Sequence, residues 1–269
     1  MVIKCNNFNL RQIAESGQCF RMNKISKDEY SLIAYGEYLR LKQIDNESIE
    51  LDCDEKQYNE IWKDYFDMEY DYQSVIDAIN DSNDRFLMEA VKYGHGIRIL
   101  KQDVFEVLIS FIISQRKSIP AIKSSIEQIC ISFGERKESK GTVYYTFPTP
   151  EKLADADFDT LRGCGVGYRD EYIVRAAKAV LDGDIQLEEL KNRPNRYAIE
   201  KLKGLYGVGE KVANCVALFG LHHIDSFPID VWIERVIDDI YDGYFETEQF
   251  NGYAGIVQQY MFYYGRNNM

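Results

Sequence analysis

Two side chains in the last quarter of the chain have types and spacing that could do chemistry. Lys211 follows the run Leu205-Tyr206-Gly207-Val208-Gly209-Glu210, and Asp230 comes nineteen positions later in Phe227-Pro228-Ile229-Asp230-Val231. A tight turn such as Gly207-Val208-Gly209 can point its backbone N–H groups the same way into solvent. A helix that follows it adds its free N-terminal N–H groups and positive dipole end. Such a nest holds phosphate without any lysine. Lys211 falls in the first turn of that helix, where a neutral amine can attack a sugar C1′ and form a Schiff base. Asp230 opens the helical run Val231-Trp232-Ile233-Glu234-Arg235-Val236-Ile237. A carboxylate beside the sugar can stabilise an oxocarbenium-like transition state or deprotonate the amine. Each feature alone has a plainer reading: an interhelical turn, a solvated lysine, a helix N-cap. The order hairpin, Lys, helix, Pro-x-Asp, helix is far more specific than its members. It suggests cutting a base from DNA rather than only binding it.

The bulk properties set bounds on that reading. With 269 residues, 45% apolar and 28% charged, the chain is an ordinary globular protein of one large domain or two or three small ones. No apolar run approaches the ~20 residues that span a bilayer, and the N-terminus lacks the apolar core of a signal peptide. A cytoplasmic or nucleoid-associated protein with no membrane partner is expected. The six cysteines form no CxxC pair, so they read as reduced thiols, and no zinc or iron–sulfur cluster is expected. A net charge of −12 argues against a nucleic-acid partner. Local distribution sets the field, however, and Arg162, Arg169, Lys201, Lys203 and Lys211 surround the glycine hairpins. The expectation is an acidic body with one neutral-to-basic face and salt-sensitive binding.

Elements that would position these residues are legible in the periodicity. Residues 28–53 alternate, with Leu39 and Leu41 against Arg40 and Lys42, and Ile49 and Leu51 against Glu50 and Asp52. That pattern predicts half-buried antiparallel strands with turns at Gly36 and Asp45-Asn46. After Asp54, a plausible N-cap, Tyr58, Ile61, Trp62, Tyr65 and Phe66 fall at helical spacing. Residues 102–113 are apolar nearly all round and predict a buried helix. Ile119, Ile122, Ile126 and Ile129 form another stripe that Gly134 ends. Residues 135–146 are polar and read as a surface loop, and Thr149-Pro150 reads as a helix start. Gly163-Cys164-Gly165-Val166-Gly167 precedes a helix as Gly207-Val208-Gly209 does, so both read as helix–hairpin–helix turns.

The run from Gly207 to Asp230 resembles the helix–hairpin–helix plus Gly/Pro/Asp signature of the base-excision DNA glycosylases, where a lysine in the hairpin helix marks members with lyase activity. Further stretches resemble one branch, the 8-oxoguanine DNA glycosylases. These are Ser16-Gly17-Gln18-Cys19-Phe20-Arg21, Gly96 to Asp103, Phe111-Ile112-Ile113-Ser114, Gly165-Val166-Gly167-Tyr168-Arg169 and Gly252 to Phe262. The resemblance spans about residues 8 to 266. It implies an α+β fold, with a small N-terminal antiparallel sheet domain (1–80) packed on a helical core (81–269). The helix–hairpin–helix would lie at about 195–221, and a C-terminal helix (251–266) would close the base pocket. It also implies excision of 8-oxoguanine from duplex DNA by a monomer, with Lys211 as Schiff-base nucleophile and Asp230 supporting the sugar. Strand cleavage by β-elimination would follow. Base recognition would fall to the Gly17 carbonyl, Cys215, Gln258 and Phe262. Tyr168 would wedge into the stack and Arg169 would face the orphaned cytosine, while Gly207 and Gly209 hold phosphate. The chemistry needs no cofactor or metal, though the hairpin carbonyls could hold a monovalent cation.

The chain departs from the branch pattern in places. Arg116 stands at a cytosine-reading Asn, Ala121 at a second cytosine-reading Arg, and Trp232 at a phosphate-contacting His. Weaker discrimination for cytosine opposite the lesion is therefore expected. His95, His222 and His223 have no catalytic role in this reading. Two alternatives remain at this level. One is a glycosylase for another damaged base, although the four clustered C-terminal cysteines of endonuclease III-like proteins are missing. The other is a non-catalytic helix–hairpin–helix DNA-binding module, which the pairing of Lys211 with Asp230 disfavours.

Overall fold

A computed structural model describes residues 1–269. The alternating stretch forms β3 (Glu29–Ala34), β4 (Glu37–Gln43) and β5 (Ser48–Leu51), joined by antiparallel pairing. Two short strands that the periodicity does not reveal complete the sheet: β1 (Val2–Lys4) beside β5 and β2 (Met22–Lys24) beside β3. The order is β1-β5-β4-β3-β2. Tyr30, Leu32, Leu39, Leu41, Ile49 and Leu51 point to one face and form a small core with Trp62, Tyr65, Phe66 and Leu100. The Asp54 side chain accepts from Gln57 N and starts the predicted helical run. A π turn at Tyr58–Trp62 lies inside that run, between Glu55–Gln57 and Lys63–Tyr65.

The rest of the chain is mainly helical around a larger core. The Val104–Ser114 helix, capped by Asp103, runs through its centre, and nine of its residues are buried. The Ile119–Phe133 helix ends at Gly134 as expected, but for a different reason. Gly134 has φ −82, which any residue adopts; a Cβ there would strike the carbonyl oxygens of Thr146 and Cys130. Those contacts belong to an element the sequence reading misses. Residues 135–146 are not an irregular loop but a hairpin, β6 (Arg136–Ser139) and β7 (Thr142–Tyr145). Lys140 and Gly141, at φ 50 and φ 78, make its two-residue turn. Its alternation is hidden because nearly every side chain stays partly exposed, and only Tyr144 is buried. The hairpin bridges the two cores: Tyr144 Oη donates to Gly36 O at 3.2 Å, and the Tyr144 ring lies 5.6 Å from that of Tyr38.

Buried polar groups lock the small domain to the helices. The Arg98 guanidinium donates to the carbonyls of Asn6 (3.0 Å), Asn7 (3.2 Å) and Asp67 (2.8 Å) and lies over the Tyr72 ring. Gln18 donates to Arg98 O and accepts from Leu100 N, each at 2.8 Å. This strap fixes the backbone at Gly17. No helix is long and apolar enough to cross a membrane.

The close approach at Gly134 generates a test of the hairpin. Gly134→Ala should destabilise the protein by about 1–3 kcal/mol, since the obstacles are backbone atoms that cannot rotate away. Urea unfolding measures this, and an unchanged midpoint would refute the packing described.

Candidate active site

The hairpin joins the Asn195–Lys203 and Glu210–Phe219 helices. Gly207 has φ 82, a left-handed conformation that favours glycine. The Gln115 side chain donates to Gly207 O at 3.1 Å and so ties the hairpin to the end of the Val104–Ser114 helix. The N-terminus of the hairpin helix carries no side-chain cap. Asn9, Asp54, Asp71, Asp84, Asp103, Asp157 and Asp230 each cap a helix with a side-chain oxygen. Gly209, the N-cap here, has no side chain to offer, so the first-turn N–H groups stay available to an anion.

Lys211 lies in that first turn, half-buried, with Nζ 5.3 Å from the centre of the Phe111 ring. Cys215 lies one turn further along the same helix face, fully inside. Burial pushes its thiol up to about 11, the Lys211 ammonium pulls against that shift, and the Asp230 carboxylate adds to it. Cys215 is therefore a neutral thiol at physiological pH.

Asp230 does cap the Val231–Tyr241 helix, as its plainer reading requires. One oxygen, Oδ1, accepts from Trp232 N at 3.0 Å and Ile233 N at 2.9 Å. The other oxygen has no protein partner and is left for a ligand, so capping and chemistry are compatible. The C-terminal helix spans Ala254–Asn268, starting three residues later than expected. Its Gln258 donates to Pro228 O at 2.9 Å and accepts from Gln259 Nε2 at 3.0 Å, holding the helix against the Pro-x-Asp turn. Phe262 stands against Gly17, where a Cβ would come within 3.1 Å of its ring. The Arg266 guanidinium lies 5.3 Å from the centre of the same ring and donates to Glu15 O at 2.7 Å.

These elements enclose a cleft of about 1100 Å³. Eight of the residues singled out in the sequence line it: Gly17, Arg116, Lys211, Cys215, Asp230, Trp232, Gln258 and Phe262. The volume is at the upper end for a small-ligand site and leaves room for a base with its sugar. Arg116, Lys117, Lys123, Lys211 and Arg266 face three carboxylates, Glu15, Asp230 and Glu234, so the cleft is locally basic in an acidic protein.

Four singled-out residues lie outside the lining. Gly207 and Gly209 form the hairpin beside it. Tyr168 stands 55% exposed on the first hairpin. Arg169 turns inward, 7% exposed, donating to Val166 O at 2.9 Å and to Gln115 O. Sequence reasoning missed Phe111, Gln115 and Lys117. Phe111 was absorbed in a run of buried apolar residues. Gln115 and Lys117 flank Arg116, and adjacency was the only signal. Lys117 Nζ donates to Gly165 O at 2.6 Å, and burial together with the Arg169 charge lowers its pKa.

A helix–hairpin–helix with lysine and a Pro-x-Asp turn around one basic cleft defines a class, and comparison agrees. Residues 109–243 match the family model described as HhH-GPD superfamily base excision DNA repair protein. Residues 1–108 match the one described as 8-oxoguanine DNA glycosylase, N-terminal domain. The chain belongs to the 8-oxoguanine DNA glycosylase branch of the helix–hairpin–helix base-excision superfamily. It is 30% identical over 232 residues to a probable N-glycosylase/DNA lyase of Methanothermobacter thermautotrophicus, covering 76% of this chain and 73% of that one. It is 31% identical over 184 residues to the N-glycosylase/DNA lyase of Saccharomyces cerevisiae, covering 64% of this chain but only 48% of the yeast protein. Its fold superimposes with a TM-score of 0.92 on Clostridium acetobutylicum 8-oxoguanine glycosylase/lyase, in complex with dsDNA containing cytosine opposite 8-oxoG. That match has 33% identity and covers 100% of this chain and 98% of the other.

The raised thiol supplies a pH prediction. A Cys215 thiol that ionises only near 11 should resist alkylation by iodoacetamide at neutral pH and react as pH approaches that value. In the same window, unfolded protein ionises first, so native stability should fall as pH rises past the ordinary thiol value of about 8.5. Peptide mapping after timed alkylation checks the first point, and rapid modification of Cys215 at neutral pH would refute it.

Proposed function

We propose that this protein is a bifunctional DNA glycosylase and AP lyase that extrudes and excises 8-oxoguanine from duplex DNA. The observation that carries the reading is that Lys211 and Asp230 converge on a cleft also lined by Gly17, Cys215, Gln258 and Phe262. A base inside a duplex is out of reach, so the nucleotide must first leave the stack. The uncapped hairpin at Gly207 and Gly209 grips the backbone phosphate, Trp232 borders the same strand, and Tyr168 fills the gap. Phe262 stacks on the extruded base beside Cys215, and the Gly17 carbonyl accepts from the N7–H that only the oxidised guanine carries. Gln258 retains its bond to Pro228 and offers its second amide hydrogen to the base edge.

Lys211 then attacks C1′ as the neutral amine. The N-glycosidic bond breaks, and the base leaves with the bonding electrons and takes up a proton. The free oxygen of Asp230 stabilises positive charge at the sugar and accepts the amine proton. Ring opening gives the Schiff base, loss of a C2′ proton expels the 3′ phosphate, and hydrolysis frees Lys211. The protein acts as a monomer on this reading, and it needs no cofactor for these steps.

The mechanism fixes the outcome of two substitutions. Lys211→Gln should abolish borohydride-trapped adducts and strand cleavage on a duplex with 8-oxoguanine opposite cytosine. Asp230→Asn should slow excision by about 10²–10³-fold. Asn also caps helices well, so melting should barely change. Adducts from Lys211→Gln would dismiss the assigned nucleophile.

Arg116 and Arg169 are assigned the opposite base. Arg116 stands exposed at the cleft with φ 50. Arg169 must first release two backbone carbonyls. A specific base contact contributes ~1–3 kcal/mol, and breaking those bonds offsets part of it. Excision opposite cytosine should therefore exceed excision opposite adenine by less than about tenfold. A preference above about a hundredfold, in single-turnover assays, would overturn this assignment.

A further inference from the structure

Three tyrosines bridge the two hairpins. Tyr168 meets Tyr172 edge-on at 5.8 Å and 75°, and Tyr172 meets Tyr206 edge-on at 5.1 Å and 86°. Tyr168 is 55% and Tyr206 50% exposed, while Tyr172 packs half-buried against the main core. The Tyr172 ring lies so close over Gly207 that a Cβ there would overlap its Cγ and Cδ2. Arg175 covers the Tyr206 ring at 4.2 Å and pairs with Glu171 at 2.6 Å, so the outer end of the ladder is also held. Tyr172 Oη makes no hydrogen bond within the protein, and its contribution is that of the ring.

We infer that Tyr172 is a positioning residue that sets the spacing between the exposed ring of Tyr168 and the hairpin carrying Lys211. The inference rests on the glycosylase reading above and adds a residue to which that reading gives no role. Tyr168 sits one helical turn before Tyr172, and Lys211 sits four residues after Gly207. A single ring therefore touches both the element that enters the base stack and the element that delivers the amine. Edge-on aromatic contacts are directional as well as apolar, so the ring transmits position as a greasy aliphatic of similar size does not. Removal of a paired base needs the gap held open while the amine attacks. Cleavage at a pre-formed abasic site has no base to extrude and depends less on that spacing.

The test compares wild type, Tyr172→Leu and Tyr172→Phe in single-turnover reactions. One duplex carries 8-oxoguanine opposite cytosine, and a matched duplex carries an abasic site. Tyr172→Leu should lose about tenfold in the rate of base release, the effect of two aromatic contacts, while abasic-site cleavage stays within about threefold of wild type. Tyr172→Phe should restore base release to near the wild-type rate, because only the ring is used. A 2-aminopurine placed beside the lesion should brighten on binding to wild type and Tyr172→Phe, and less with Tyr172→Leu. Equal losses on both substrates, or a Phe variant no better than Leu, would overturn the coupling and leave the glycosylase reading intact. Absence of base release by wild type would overturn that reading and this inference with it.

Discussion

Lys211 and Asp230 share one cleft, yet no ion pair joins them. That separation is the constraint on which the proposed chemistry depends. An amine locked to a carboxylate is an ammonium with its lone pair occupied, and it cannot attack a carbon centre. Asp230 is kept back by its own helix: two backbone N–H groups at 3.0 and 2.9 Å hold Oδ1, which fixes the carboxylate at the N-terminus of Val231–Tyr241. Lys211 is kept on a different surface, over the Phe111 ring and next to a thiol that burial keeps neutral. A gap between two opposite charges is stable only if the elements bearing them cannot close on each other.

The fold meets that requirement with contacts from segments far apart in sequence. Gln115 pins the hairpin from the buried Val104–Ser114 helix. Gln258 pins the Pro-x-Asp turn from the C-terminal helix. Gln18 straps the Gly17 loop to residues 98–100, so the small domain contributes one wall rather than merely an appendage. Each of these is a neutral amide bonded to backbone carbonyl or N–H. Amides position without adding charge to a cleft in which Lys211 and Asp230 stand close but unpaired.

The legible parts of this protein were those where one physical rule dominates. Strands β3 to β5 alternate because one face meets a core and the other meets water, and the buried helix at 104–114 is apolar all round because it is surrounded. Strands β1 and β2 have three residues each, too few for any period to emerge. The β6–β7 hairpin reads as a loop in sequence because both its faces are partly wet, leaving Tyr144 as its only buried residue. The π turn at Tyr58–Trp62 is equally invisible, since Tyr58, Ile61, Trp62, Tyr65 and Phe66 keep ordinary helical spacing through it. In the site, ordered motifs identified Lys211 and Asp230, and the resemblance supplied the base-facing residues. The inward turn of Arg169 was beyond reach, because a guanidinium that satisfies two backbone carbonyls looks in sequence like one that faces solvent.

The charge of the whole molecule contrasts with that of the cleft. A net charge of −12 repels a duplex from most of the surface. Five cations gather around the cleft, and the uncapped hairpin adds backbone N–H groups that carry no net charge of their own. Where seven helices have an Asp or Asn side chain on their first turn, Gly209 has none, so its N–H groups face the cleft's edge unclaimed by a cap. Backbone N–H groups can attract an anion without adding net charge, so attraction can be confined to one face while the remainder stays acidic. The positive potential is then local: it lies where the hairpin, the amine and the carboxylate stand together.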